Sequence, residues 1–201
     1  EAAANSIVLL KNERAILPLK KGTTIALIGP LANDKRDMIG PHAAAGDWKQ
    51  NISVLEGMKN IPGINILYAK GANITDDSLL LKRLNNDGGD ISIENKSPQQ
   101  LIDEAVATAL SSDVIVAVLV ESQGMSGEAA SRSAVGLPES QKLFLQALAK
   151  TGTPLVLVLI NGRQRPLEWE HISDHALVEA WFGVTESGNA SSDVLAGNYN
   201  P

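Results

Sequence analysis

A glycine-containing loop carries the side chains with the clearest chemical potential in this sequence. Residues 121–133 read ESQGMSGEAASRS and follow a strongly apolar run. Gly124 and Gly127 would let the loop backbone approach a ligand closely. Such a loop would display Glu128 and Arg132 from the end of a rigid strand. A solvated loop with two surface charges is the alternative, because exposed Glu and Arg side chains are common.

Motifs of several other ligand and enzyme classes are incomplete in this sequence. The Gly-Pro pair at 29–30 lacks the G-x-G-x-x-G pattern of dinucleotide sites, and no G-x-x-x-x-G-K-[ST] phosphate loop occurs. Residues 124–128 nearly match the G-x-S-x-G elbow of serine hydrolases, but Glu stands at the last position. His171 and His175 have the i, i+4 spacing of helical metal ligands, but no third ligand is evident. No metal site is therefore predicted.

Composition narrows the functional classes further. A chain of 201 residues, 44% of them hydrophobic, can bury a sizeable core and suits one large domain. Acidic residues outnumber basic ones by 23 to 17 and only 3% of residues are aromatic, which disfavours nucleic-acid and anionic-membrane partners. No apolar run reaches the roughly 18 residues of a membrane span. The absence of cysteine excludes disulfides, thiolate metal sites and cysteine nucleophiles.

The elements that must position the loop follow an alternating α/β pattern. Apolar or β-branched runs predict strands at 24–28, 64–68, 114–120, 155–160 and 176–182. Helical patterns lie between them, at 53–60, 76–84, 97–110, 138–151 and 187–195. This alternation predicts one doubly wound α/β domain with a mainly parallel sheet and helices on both faces. Ligands bind such sheets beyond the carboxyl ends of the strands, where the 121–133 loop lies.

A series of longer segments extends over the whole chain. The segments are NSIVLLKN at 5–12, IALIGP at 25–30, YAKGAN at 68–73, ESQGMSGEAASR at 121–132, VLVLINGR at 156–163, AWFGVTESGN at 180–189 and DVLAGNYNP at 193–201. Together, and in this order, they resemble the second, C-terminal domain of glycoside hydrolase family 3, especially its bacterial periplasmic β-glucosidase type. The resemblance implies a six-stranded α/β sandwich over residues 1–201, with residues 1–22 leading in from a preceding barrel domain.

The resemblance also implies a reaction and a role for Glu128. In the family, hydrolysis proceeds with retention, which needs two carboxyl groups roughly 5–5.5 Å apart. One is a nucleophilic Asp of the preceding domain, and the other is a Glu general acid/base of the second domain. Ser126-Gly127-Glu128 with Arg132 matches the S-G-E…R pattern around that acid/base. The expected function is therefore that of the acid/base-bearing domain of a retaining exo-β-glucosidase, inactive without the nucleophile.

Other site residues are expected with alternatives. Glu121, at the strand end, is the second candidate for the acid, or a structural carboxylate paired with Arg132 or with a backbone amide. His42 stands where related sequences often carry an aromatic residue. Trp48 could stack on a sugar ring instead, or be a buried structural residue. Trp181 and Phe182 are expected to lie in the core, within a strand.

The remaining expectations concern partners and location. The chain starts at Glu1 without a recognisable leader and ends in turn chemistry, so we expect it to be part of a longer protein. The resemblance implies a β-glucoside or oligosaccharide substrate, no cofactor, contact with the N-terminal barrel domain, and a periplasmic or secreted location. The alternatives are a non-catalytic carbohydrate-binding or stabilising domain, and the same domain of a β-xylosidase.

Overall fold

The computed structural model describes residues 1–86, 91–128, 130–131, 133, 135–163 and 175–201. Six strands and six α-helices make up these parts of the chain. The strands are β1 (Val8–Asn12), β2 (Thr24–Ile28), β3 (Asn65–Ala69), β4 (Val114–Val120), β5 (Leu155–Ile160) and β6 (His175–Glu179). The helices are α1 (Ala2–Ser6), α2 (Val54–Met58), α3 (Ser78–Asn86), α4 (Pro98–Leu110), α5 (Glu139–Ala149) and α6 (Ser187–Ala196).

The six strands form one sheet in the order β1-β6-β5-β4-β2-β3. All neighbouring strands are parallel except β1, which runs antiparallel to β6. In the register of the central strands, Ile28 of β2 pairs with Ala117 of β4, and Val120 of β4 pairs with Ile160 of β5. The loops that follow β2, β4, β5 and β6 therefore leave from the same edge of the sheet. The predicted α/β sandwich is confirmed.

Helices cover both faces of the sheet, and the apolar residues of the central strands alternate between two cores. In β4, Val116 and Val118 pack in the core on the side of α1, α2 and α6. Ile115, Ala117 and Leu119 pack in the core on the side of α4 and α5. All these side chains are fully buried, which explains why the strand is apolar at every position.

Helix starts follow the sequence signals closely. The Ser97 side chain accepts a hydrogen bond from the Gln100 backbone, and the Gln100 side chain accepts one from the Ser97 backbone, so α4 begins with the predicted capping box. Ser53 and Glu56 form a second capping box at the start of α2. Neither of these two helices, nor any other helix of the described residues, is long and apolar enough to cross a membrane.

Two strand predictions differ from the structure at the edge of the sheet. Strand β1 was not predicted from the residue pattern, and it places part of residues 1–22 in the sheet. The predicted strand at 176–182 ends at Glu179, because Trp181 adopts a positive φ of 55° that turns the chain away from the sheet. Trp181 and Phe182 are half-buried beyond the strand. Their predicted placement in a core strand was therefore wrong.

Candidate active site

A cavity of about 820 Å³ opens at the edge of the sheet where β2, β4, β5 and β6 end. Each of these strands contributes part of its following loop to the wall. The lining residues are Ile39, Gly40, Pro41, His42 and Ala43 after β2, Ser126 and Gly127 after β4, Asn161, Gly162 and Arg163 after β5, and Trp181, Phe182 and Val184 after β6. This is where a parallel sheet is expected to bind its ligand. A cavity of this volume is in the range of small-molecule sites.

Glu128 lies on the loop after β4, directly next to the wall residues Ser126 and Gly127. The loop begins with a short 3₁₀ helix, Gln123–Met125, and Glu128 follows in a turn, exposed to solvent. Gly127 has a φ of 106°, and a Cβ atom there would lie 3.2 Å from the Pro41 side chain. A side chain at this position would be both strained and tightly packed, so the turn that presents Glu128 favours glycine.

Arg163 connects this loop to the end of the neighbouring strand β5. Its Nη2 donates hydrogen bonds to the main-chain carbonyl oxygens of Met125 and Ala130, both at 3.0 Å. Its Nε lies 3.8 Å from Oε2 of Glu121, whose side chain is completely buried. Glu121 thus lies below the loop in an ion pair with Arg163, in a region that solvent does not reach.

A second polar group holds the ends of β5 and β6 together. The Asn161 side-chain amide donates to both carboxylate oxygens of Glu179 at 3.2 Å, and its Oδ1 accepts from the backbone N–H of Arg163 at 3.2 Å. The backbone N–H of Trp181 donates to Glu179 Oε1 at 3.4 Å. Asn161 and Glu179 are both buried, so these bonds stabilise the cavity floor without contact with water.

Asp37 holds the beginning of the Glu128 loop from the other side. Its Oδ1 accepts hydrogen bonds from the Ser122 hydroxyl and from the Gln123 backbone N–H, both at 2.9 Å. The side chain is buried, and its own backbone N–H donates to Asp34 Oδ1 at 2.9 Å. Burial, together with the neighbouring Asp34 carboxylate, raises the pKa of Asp37 to about 7. Burial also raises the pKa of Asp34.

We expect Asp37 to make the stability of the chain depend on pH. Because the pKa of Asp37 is about 7 in the folded state and 3.8 without the fold, the folded chain binds more protons between these values. The contribution of Asp37 to the free energy of unfolding is present below the lower value and is lost as the pH rises through the higher one. Asp37→Asn should flatten this decline, by at most about 1.4 kcal/mol per pH unit.

Urea unfolding of both proteins at several pH values from about 4 to about 8 measures this difference. The amide side chain that Asp37→Asn introduces retains an oxygen that can accept the two hydrogen bonds, so the variant removes only the titration. Parallel pH profiles of the two proteins would contradict the prediction.

The other predicted site residues fall in different places. His42 is exposed and lies in the cavity wall. Trp48 is half-buried, and the Arg36 guanidinium lies over its ring, 5.5 Å from the ring centroid. It lines an adjoining cavity of about 360 Å³, which shares part of its wall with the larger one. Arg132 lies outside the described residues. The cavity therefore gathers His42 and the Glu128 loop but not Trp48.

A further feature of the described part of the chain is the placement of its metal-ligating side chains. No three His, Asp or Glu side chains there come close enough together to hold a metal ion. His171 lies outside the described residues, and so does the side chain of His175.

A family model described as the glycosyl hydrolase family 3 C-terminal domain matches residues 7–201. The chain belongs to this family. The resemblance seen in the sequence segments is confirmed, and it extends over nearly the whole chain.

Relatives of this family 3 domain include a beta-glucosidase and a beta-xylosidase. The chain is 51% identical to the periplasmic beta-glucosidase of Salmonella typhimurium, over 100% of the chain and 26% of that protein. It is 33% identical to a beta-xylosidase of Formosa agariphila, again over 100% of the chain and 26% of that protein. The chain thus spans about a quarter of the length of these relatives.

Solved structures of the family have the same fold. A beta-glucosidase from Listeria innocua in complex with glucose superposes with a TM-score of 0.80 at 29% identity, covering 100% of the chain and 24% of that protein. A beta-glucosidase from Bifidobacterium adolescentis superposes with a TM-score of 0.77 at 27% identity, covering 98% of the chain and 26% of that protein.

Several residues of this family 3 domain contribute to the site although no role there was predicted for them from the sequence. Arg163 and Asn161 belong to the Asn-Gly-Arg that follows the apolar strand β5, and this position at a strand end was the available signal. Asp37 lies in a polar stretch whose burial no local pattern reveals. Phe182 was assigned to the core, although it lines the cavity together with Trp181.

Proposed function

We propose that this chain is the acid/base-bearing domain of a retaining exo-β-glucosidase that removes terminal non-reducing β-D-glucosyl residues. The observation that carries the proposal is the position of Glu128, an exposed residue on a held loop that directly follows Ser126 and Gly127 in the wall of the 820 Å³ cavity. The nucleophile is an Asp of another domain of the longer protein. The exposed position of Glu128 leaves room for that second carboxyl group to approach from outside this chain.

In this proposal Glu128 acts twice. In the first step its carboxyl group donates a proton to the glycosidic oxygen, while the nucleophilic carboxylate attacks the anomeric carbon and the bond to the leaving group breaks. In the second step the Glu128 carboxylate accepts a proton from a water molecule that attacks the same carbon and releases the sugar. The anomeric carbon is inverted twice, so its configuration is retained.

The remaining wall residues are proposed to bind the sugar. The half-buried rings of Trp181 and Phe182 provide an apolar surface at the cavity, and His42 is exposed beside it. Such rings bind the C–H face of a pyranose well. Arg132 is proposed to contact the loop or the substrate next to Glu128. The Trp48 ring lies under the Arg36 guanidinium and is not part of the wall of the larger cavity, which favours a structural role.

A glucoside is favoured over a xyloside as the substrate. Relatives of both kinds match the chain, and the identity of 51% with a β-glucosidase exceeds the 33% with a β-xylosidase. The similarity to a periplasmic protein supports a periplasmic or secreted location. The alternative function is a non-catalytic domain that binds carbohydrate or stabilises its neighbour, in which Glu128 has no chemical role.

The test uses the longer protein that contains this chain and the domain with the nucleophile. Proton magnetic resonance of an aryl β-glucoside digest should show β-glucose as the first product. We expect kcat/KM for the aryl β-glucoside to exceed that for the aryl β-xyloside at least about tenfold, a difference of about 1.4 kcal/mol in transition-state free energy. This chain alone should hydrolyse neither. α-Glucose as the first product, or hydrolysis by this chain alone, would contradict the proposal.

A further inference from the structure

A side chain that follows β5 bridges two parts of the loop that carries Glu128, which itself follows β4. The two carbonyl groups that Arg163 binds belong to Met125 and Ala130, one before Glu128 in the chain and one after it. A single nitrogen atom, Nη2, donates to both, which sets the distance across the loop. Hydrogen bonds from a charged donor are stronger than those between neutral groups. The turn that carries Glu128 is therefore clamped at both sides by one guanidinium.

We propose that Arg163 is a positioning residue for Glu128, which it holds in the geometry for proton transfer through the carbonyl groups of Met125 and Ala130. The inference rests on the proposed function of Glu128. It assigns the support of the loop to a residue from the neighbouring strand, in addition to any contribution from Arg132 within the loop itself.

Buried groups orient the guanidinium. The Glu121 carboxylate, with no exposed surface, lies 3.8 Å from Nε and attracts the guanidinium toward the end of β4. The buried Asn161 side chain accepts a hydrogen bond from the Arg163 backbone N–H. This bond fixes the backbone position from which the Arg163 side chain extends. The Arg163 side chain is 28% exposed, so it extends from this buried base to the cavity wall.

A lysine cannot reproduce this arrangement. The planar guanidinium offers separate nitrogen atoms to Glu121 and to the two carbonyl groups, whereas the ammonium group of lysine is a single point charge. Arg163→Lys keeps the charge near Glu121 and loses the fixed geometry. It therefore removes positioning while it leaves the buried carboxylate with a cation nearby.

The consequence for the reaction follows from the position of the proton donor. A shift of about 1 Å in a catalytic group can reduce the rate about 100-fold. The loss should be large where the leaving group needs protonation and small where it does not. We expect Arg163→Lys to lower kcat/KM, which reports the first step, about 10- to 100-fold for cellobiose and less than about threefold for an activated aryl glucoside.

The experiment compares Arg163→Lys, Glu128→Ala and the double variant in the longer protein, with cellobiose and a dinitrophenyl glucoside as substrates. Arg83→Lys, an exposed arginine on α3, is the matched control and should behave as the wild type on both substrates. If Arg163 acts through Glu128, the double variant should be no slower on cellobiose than Glu128→Ala alone, because the two losses are not additive. Thermal unfolding of each variant verifies that the domain is folded.

Three outcomes would overturn the assignment. An equal loss of kcat/KM on both substrates in Arg163→Lys would indicate a structural role only. A rise in KM on both substrates, with losses that multiply in the double variant, would indicate direct binding of the sugar. Wild-type rates for Arg163→Lys, with a leaving-group dependence in Glu128→Ala, would show that the loop needs no such clamp. Failure of the proposed function is distinguishable, because Glu128→Ala itself would then lack a leaving-group dependence.

Discussion

Glu128→Ala in the longer protein is expected to slow hydrolysis of cellobiose about 100- to 10,000-fold, since protonation of the leaving group contributes about this much. A glucose leaving group is poor and needs the proton, whereas a dinitrophenolate leaves without it. The first step should therefore be affected much less with the aryl glucoside. The fold should be preserved, because Glu128 is exposed and contributes no packing to the core.

Azide distinguishes the second role of Glu128 from the first. In the variant, water lacks the base that would take its proton, so the glycosyl-enzyme accumulates during turnover of the aryl glucoside. Azide attacks without a base and should restore turnover, with β-glucosyl azide as the product. Initial rates with and without azide, together with product identification, measure both effects.

The controls for Glu128→Ala are two other glutamates of the chain. Glu139→Ala makes the same change at an exposed position at the start of α5, away from the cavity, and should leave all rates unchanged. Glu121→Ala removes the completely buried carboxylate beside Arg163 and should lower stability. Leaving-group dependence and azide rescue in Glu121→Ala, combined with wild-type behaviour of Glu128→Ala, would identify Glu121 as the acid.

Gly29→Ala should destabilise the domain by about 2–6 kcal/mol, because steric overlap and backbone strain each cost about 1–3 kcal/mol. Gly29 follows β2 and has a φ of 143°. A Cβ atom there would lie 2.0 Å from the carbonyl oxygen of Val118, well inside van der Waals contact. Val118 lies in the central strand β4, which is paired on both sides and cannot move away.

Gly22→Ala measures the cost of backbone strain without the cost of steric overlap. Gly22 also has a positive φ, of 84°, but no atom lies within 4 Å of the position that its Cβ would take. This substitution should cost about 1 kcal/mol from the backbone conformation alone. Urea unfolding of the two variants gives the comparison. Equal losses would contradict the view that the loop after β2 is packed directly against β4.

The sequence alone determined the layers of this domain and indicated the loop to which its chemistry is assigned in our proposal. The runs at 114–120 and 155–160 are apolar at every position, as is typical of a strand that is covered on both faces. The capping box at 97–100 marked the start of a helix because it depends on residues within one turn. The resemblance predicted Glu128 as the acid/base, because Ser126 and Gly127, which carry the matching pattern, directly precede it in the chain.

The tertiary structure decided the features that depend on partners distant in the chain. Strand β1 exposes Val8 and Leu10, and its strand character comes from pairing with β6 at the other end of the sequence. Trp181 and Phe182 resemble core residues in composition, but a positive φ at Trp181 turns them to the cavity.

The support of the Glu128 loop depended on the fold in the same way. No local pattern marks Asp37, and only the position after strand β5 marks Arg163, because each acts on a loop that follows another strand. Their burial and their hydrogen bonds exist only once β2, β4 and β5 lie side by side and end at a common edge. Local spacing thus specified which residue carries the carboxyl group, and packing of the strands specified which residues hold it.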